Sequence, residues 1–354
     1  MGDGWATARE YGTPIGAPLY FRHPASLEHD TGFGHPERAE RIVALERELE
    51  GRDWLGWSQQ EAPRVELDQL LAVHPREHVD AARELSARGG AFDLDTPTSP
   101  GSYEAALRSA GGACAMVEAL LAGDAPWGFS ALRPPGHHAE PARAMGFCLF
   151  NHIAIAARHA LDSLGAERVL VFDWDVHHGN GTNAVFHETR EVLFASIHQS
   201  PFYPGTGPLS DAGSGEGEGF SINLPVPGGS DESRWLSLAE HVVMPAARQF
   251  RPDLILVSAG YDAHIDDPVG GCRLRTESFA ELVRHVRALA DELDVPVGCV
   301  LEGGYDVDAL AASVIATMEA LSAGGAPRSV PVHDLAAAAL EQVGRHWELG
   351  APAA

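Results

Sequence analysis

A chain of 354 residues with 50 acidic side chains against 25 basic ones carries a net charge of −25, and such a surface repels phosphate backbones, which excludes nucleic acid as a direct partner. All 25 basic residues are arginine, so the surplus acid favours cationic ligands such as polyamines or basic peptides, besides keeping the chain soluble. Cys114, Cys148, Cys272 and Cys299 show no C-x-x-C spacing, which suggests neither a zinc ribbon nor a disulfide framework but reduced thiols in a cytoplasmic setting.

The N-terminal MGDGWATAREYG lacks a basic-then-apolar leader, and no apolar run reads as long enough to span a bilayer, so no membrane partner is expected. Short β-rich runs then alternate with amphipathic stretches. The expected strands are APLYF (17–21), WGFSALR (127–133), RVLVFDWD (168–175), EVLFASIH (191–198), FSINLPV (220–226), DLILVSAGYD (253–262) and VPVGCVLEGGY (295–305). Helices are expected over 36–50, 103–123, 151–165 and 276–294. Several strands are near-continuous Val/Ile/Leu runs, as in a parallel sheet buried on both faces. The alternation predicts a three-layer α/β/α domain, and no linker-like break interrupts the chain. The glycine-rich stretch SDAGSGEGEG (210–219) has no lysine and three acids, which argues against a phosphate cradle and for a flexible surface loop.

Ligands of parallel sheets gather at the C-terminal ends of strands. Four polar clusters occupy such ends: residues 133–140 (RPPGHHAE), 173–180 (DWDVHHGN), 260–267 (GYDAHIDD) and 302–306 (EGGYD). Residues two apart on a strand share a face, so Asp173, Asp175 and His177 point together, and Asp175 with His177 makes a chelating pair. Asp262 is the best-placed third ligand. Singly, an aspartate at a strand end caps a turn, but that reading explains the joint arrangement poorly. Two carboxylates and one imidazole leave positions open for water and substrate, which suits catalytic zinc and also tolerates Fe(II). Of His137 and His138, on a Pro/Gly-stiffened loop, one can act as general base and then as acid toward a leaving amine. Asp173 can orient one ring and Asn180 the other. The hydroxyl of Tyr305 can polarise a carbonyl and stabilise an oxyanion. These parts make amide hydrolysis by activated water.

The motifs RPPGHHA, GFCLFN (146–151), DWDVHHGNGT, YPGTG (203–207), SAGYDAHIDDPVGGC and LEGGYD resemble the histone deacetylase family, and HDTGFGHPERAERI (29–42) and SPGSYEAALRSAGGA (99–113) resemble its class II and bacterial members. The resemblance runs from about residue 15 to about 325 and implies an arginase–deacetylase fold with a mostly parallel sheet of about eight strands, in one domain over 1–354 with its core at about 15–325 and a helical segment at 326–354. It implies zinc on Asp175, His177 and Asp262, His138 as general base and acid, His137 as electrostatic partner oriented by Asp173, and Tyr305 as the carbonyl-polarising hydroxyl. It further implies structural potassium at Asp173, Asp175, His177, Ser196 and Ile197, and a second potassium at Phe186, Thr189, Val192 and Phe220. Phe147 and Tyr203 match the walls of an acyl-lysine tunnel, Leu274 its rim, and Gly146 and Gly303 allow close approach of substrate. Asn180 stands where class I members have Asp, and Tyr203 where Phe is usual.

Acetylpolyamine amidohydrolases share the same catalytic residues, so acetyl-lysine and small N-acetylated amines both remain as substrates. Val269 supplies no acid at the tunnel mouth, whereas Asp266, Asp267 or the 210–219 loop could. An arginase-like ureohydrolase would need a second set of metal ligands, and one set is evident. A non-catalytic acyl-amine binding module would typically have lost Tyr305 or a histidine, and all survive. Homo-oligomerisation stays open.

Overall fold

The computed structural model describes residues 16–349, so the N-terminal stretch and the two ends of the expected 1–354 domain lie outside the described residues. Among the described residues ten strands form: β1 Leu19–Arg22, β2 Ser58–Glu61, β3 Gly90–Ala91, β4 Pro97–Thr98, β5 Trp127–Ser130, β6 Val169–Asp173, β7 Val192–Gln199, β8 Ser221–Val226, β9 Leu254–Ala259 and β10 Val297–Leu301. Eight of them make one sheet in the order β2-β1-β5-β10-β9-β6-β7-β8, and β3 pairs with β4 as a small hairpin. Every pairing in the large sheet is parallel.

Alternate residues feed two separate cores. Leu170 and Phe172 face one with Val257 and Cys299, whereas Val169 and Val171 face the other with Leu254 and Leu256. Helices Glu40–Glu50, Thr276–Leu293 and Val307–Ala323 cover the first face, and Ser102–Ala122 and His152–Ser163 cover the second. The three-layer α/β/α arrangement expected from the alternation is present. Helix Ser102–Ala122 is long and apolar enough to cross a membrane, contrary to the sequence reading. It packs instead on β1, β5, β10 and helix His152–Ser163, as a core helix does.

Several elements escaped the sequence, among them helices Arg76–Arg88 and Val307–Ala323 and the strands β2, β3 and β4. β2 is SQQE, a mostly exposed edge strand with no apolar signal to find. Helices Glu232–Leu238 and Met244–Phe250 are joined through a π turn, Ala239–Val243, just before Pro245, whose missing N–H breaks the helical pattern. The C-terminal helix Asp334–Val343 buries Ala336, Ala339 and Val343 in the first core, and Trp347 Nε1 donates to the Gly219 carbonyl at 2.8 Å. The 210–219 segment is therefore tied down rather than free: Ser214 N donates to His187 O, and Asp211 accepts from Asn183 Nδ2 at 3.0 Å. All four cysteines are free and buried.

The second core also holds a buried histidine at the start of helix His152–Ser163. Burial, then the His74 charge, lowers His152 to about 3, and its Nε2 has no partner. The unfolded chain binds this proton near 6.5 and the folded one only near 3, so stability is lost as pH falls through that window. Urea unfolding of His152→Leu from pH 6.5 to 4 should show a shallower loss than wild type, by about 1.4 kcal/mol per pH unit. Parallel profiles would contradict the assignment.

Candidate active site

The four polar clusters follow β5, β6, β9 and β10, which are neighbours at the centre of the sheet, so their loops converge on one side. Among the described residues, Asp175, His177 and Asp262 form one group able to hold a metal ion, with ligand atoms all within 4.8 Å of one another and all three residues buried. His177 Nδ1 lies 3.0 Å from Asp175 Oδ1 and 3.1 Å from Asp262 Oδ2. Strand alternation is not what joins them, because β6 ends at Asp173. Asp175 Oδ1 instead accepts the His177 N–H at 2.9 Å, and Asp262 Oδ1 accepts the Val176 N–H at 2.8 Å, so the carboxylates fold the loop around themselves.

The charges of this cluster conflict with burial. Burial would lower His177, yet Asp262 and Asp175 raise it to about 10. Burial and the Asp175 charge push Asp262 up to about 7. Burial likewise opposes ionisation of Asp175, but His137 and His177 hold it far below the usual carboxylate range. Two acids and an imidazole aimed at one point are the donor set of a divalent cation. Bare backbone makes the room: a Cβ at Gly303 would fall 2.1 Å from Asp262 Oδ2, and one at Gly260 2.0 Å from Asp175 Oδ2. Gly303 N also donates to Asp175 Oδ2 at 2.8 Å. Gly303→Ala should therefore weaken zinc binding by about 10–100-fold in calorimetric titration. Unchanged affinity would show that the ion sits elsewhere.

The two histidines divide their roles. His137 Nδ1 pairs with Asp173 Oδ2 at 2.9 Å, and against the effect of burial Asp173 and Asp175 raise it to about 10, so it stays an imidazolium. His138 Nδ1 faces Asn180 Oδ1 at 2.8 Å, and burial with the charges of His137 and His177 drives it far below the ordinary value. Adjacent groups pushed apart in this way separate a fixed charge from a base. Tyr305 is buried, and burial keeps its hydroxyl protonated well above the usual range. Arg41 lies 4.9 Å from its ring centroid and Phe147 meets it edge-on at 5.6 Å.

The walls differ partly from expectation. Phe147 takes φ 68° and packs against His35 at 4.7 Å, while Tyr203 meets the His138 ring edge-on at 5.2 Å. Leu274 is fully buried, its backbone paired with Ala263 and Ile265, so it belongs to the core and not to a rim. Val269, in the same segment, is partly exposed. Gly146 and Gly303 make room for the site's own side chains, since a Cβ on Gly146 would fall 2.5 Å from His138 Cδ2. Asp267 is no mouth acid either. It turns inward and accepts the N–H groups of Tyr305 at 2.6 Å and Asp306 at 3.2 Å. The acid near Tyr203 comes from the β3–β4 hairpin, where burial and Asp93 raise Asp95, and both charges act on the Tyr203 hydroxyl.

Around the expected potassium positions, Asp173 and Ser196 are register neighbours on β6 and β7, and Ile197 follows Ser196. Ser196 Oγ contacts His198 Nδ1 at 2.9 Å. Phe186 O accepts from Thr189 N, and Phe220 O accepts from Phe194 N, with Val192 at the start of β7.

Several residues had no spacing to reveal them. Glu302 Oε2 accepts the N–H groups of Gly136 at 2.7 Å and His137 at 3.1 Å, fixing the histidine loop. Arg41 donates to the Gly304 carbonyl at 2.6 Å and, with Arg133, flanks the buried Glu37. Asn151 caps helix His152–Ser163 and donates to the Ala139 carbonyl at 3.2 Å.

Comparison with known proteins gives a consistent picture. Residues 35–321 match the family model for the histone deacetylase domain. The chain is 43% identical over 303 residues to a probable deacetylase of Methanothermobacter thermautotrophicus, covering 84% of this chain and 89% of that one. It is 41% identical over 264 residues to the histone deacetylase-like amidohydrolase of Pseudomonas aeruginosa, covering 74% and 70%. Among solved structures, the HDA15 HD domain superposes with a TM-score of 0.88 at 33% identity, covering 94% of this chain and 96% of that one.

Proposed function

The chain belongs to the histone deacetylase family of hydrolases acting on acetylated amides, and from that premise we propose that it is a zinc-dependent deacetylase of N-acetylated cationic amines. What carries the reading is the juxtaposition of a buried Asp175–His177–Asp262 cluster with a neutral His138 and a protonated Tyr305. Asp175, His177 and Asp262 would hold the ion, which supplies Lewis acidity to water and to the acyl carbonyl when bound.

The chain's own residues do the rest. His138, with Nδ1–H donated to Asn180, keeps an Nε2 lone pair to take the proton of the attacking water. The same nitrogen returns that proton to the departing amine. His137, held charged by Asp173, stabilises the negative charge that develops as water adds. Tyr305 donates its hydroxyl hydrogen to the acyl oxygen as it becomes an oxyanion. Phe147 and Tyr203 enclose the acyl chain, and structural potassium beside Asp173 and near Phe186 would brace the loops from behind. One domain working in the cytoplasm completes the reading.

The substrate class follows from charge. Asp93 and Asp95 beside Tyr203, on a chain of net charge −25, favour an amine with a second cationic group, either a basic peptide bearing acetyl-lysine or a small acetylated polyamine. Steady-state kcat/KM on an acetyl-lysine peptide and on acetylputrescine, with zinc content confirmed, tests the proposal and separates the two sources. Turnover of at least one supports it; turnover of neither overturns it in favour of a binding module.

A further inference from the structure

We propose that Glu140 is a positioning residue for the reaction, fixing which end of the Asn180 amide faces His138; this rests on the reading of His138 as general base. The two ends of an asparagine amide are nearly equal in size, and only the oxygen end requires His138 to carry its proton on Nδ1. With the nitrogen end forward, the ring would have to accept at Nδ1. Its proton would then sit on Nε2, the atom that must be free to take one from water.

The surroundings of Asn180 decide between these ends. Its Nδ2 donates to Glu140 Oε1 at 2.8 Å and also lies near the His138 carbonyl oxygen and Met145 Sδ, each at 3.4 Å. All three are acceptors. A flipped amide would set its oxygen 2.8 Å from a carboxylate oxygen with no hydrogen between them, which is repulsive. Oδ1 is therefore left toward His138 Nδ1, at 2.8 Å. Glu140 is itself held, because its N–H and carbonyl pair with those of Arg143 at 3.0 and 3.2 Å, closing a short hairpin beside the histidines. An aspartate at position 180 would need no such lock, since its two oxygens are equivalent. Glu140 thus supplies the orientation that a neutral amide cannot guarantee alone.

Glu140→Gln is the informative variant. Glutamine keeps the volume and can hydrogen-bond either end of Asn180, so the 2.8 Å contact no longer selects one end, leaving only the two 3.4 Å contacts, while the local packing is retained. In the zinc-loaded enzyme, kcat on acetyl-lysine peptide or acetylputrescine should fall at least about tenfold with KM nearly unchanged, because a base in the wrong tautomer is lost to the reaction. In an Asn180→Asp background the same replacement should leave kcat unchanged or raise it, since it removes a like charge from beside the new carboxylate. Nitrogen NMR of ring-labelled histidine reads the tautomer without turnover: His138 should be Nδ1–H in wild type and partly Nε2–H in Glu140→Gln. An unaltered tautomer, or an equal loss of kcat in both backgrounds, overturns the proposal. An inactive wild type would count instead against the deacetylase reading, and the tautomer measurement would still judge Glu140.

Discussion

His138→Ala should lower kcat on any acetylated amine by about 10²–10⁴-fold, the range that a positioned general base and acid contributes, while leaving zinc content unchanged. The separation follows from geometry. His138 is outside the trio that would hold the ion, its Nδ1 is committed to Asn180, and its ring centroid stands 5.7 Å from that of His177. Its low proton affinity arises from burial and from the positive charge of His137 beside it, so the neutral base is present throughout the neutral pH range. A variant that kept full activity would remove His138 from the reaction. One that lost zinc in parallel would turn it into a ligand.

Tyr305→Phe should reduce kcat by about 10²–10³-fold with little change in KM, because the hydroxyl acts on charge that appears only during the reaction. The ring itself should not move. It is held between Arg41 and Phe147, and its backbone N–H is anchored on Asp267, none of which involves the hydroxyl. Asp267→Asn offers a contrast, since the hydroxyl survives while its support weakens. A large rise in KM for Tyr305→Phe, with kcat preserved, would make the residue a binding group.

The parts of this molecule visible in the sequence are those with a local signature. VLVFD reads as a strand because burial on both faces demands an unbroken apolar run, and the strand ends where Asp173 begins the polar cluster. The edge strand SQQE carries no such run, since solvent covers it. The metal-facing trio was visible as two close residues and one distant aspartate. The close pair is joined by a loop closed on Asp175, in place of the expected strand alternation. Leu274 failed for a related reason: a position inferred beside a motif says nothing about which way the side chain turns, and this one turns into the core.

What stayed hidden is the support. Glu302 reaches residues 136 and 137 across 166 and 165 positions, and Arg41 reaches Gly304 across 263, through backbone groups that leave no trace in residue type. Glu140 was in plain view within RPPGHHAE, yet its partner is the asparagine forty residues away. Position, and not composition, gives these residues their work.

Anomalous scattering at the zinc edge from a zinc-loaded crystal tests the centre of the account most directly. A single strong peak is expected about 2.0–2.2 Å from the His177 ring nitrogen and from one oxygen each of Asp175 and Asp262. A peak bound by other residues, or those three side chains turned apart with zinc present in solution, would contradict it.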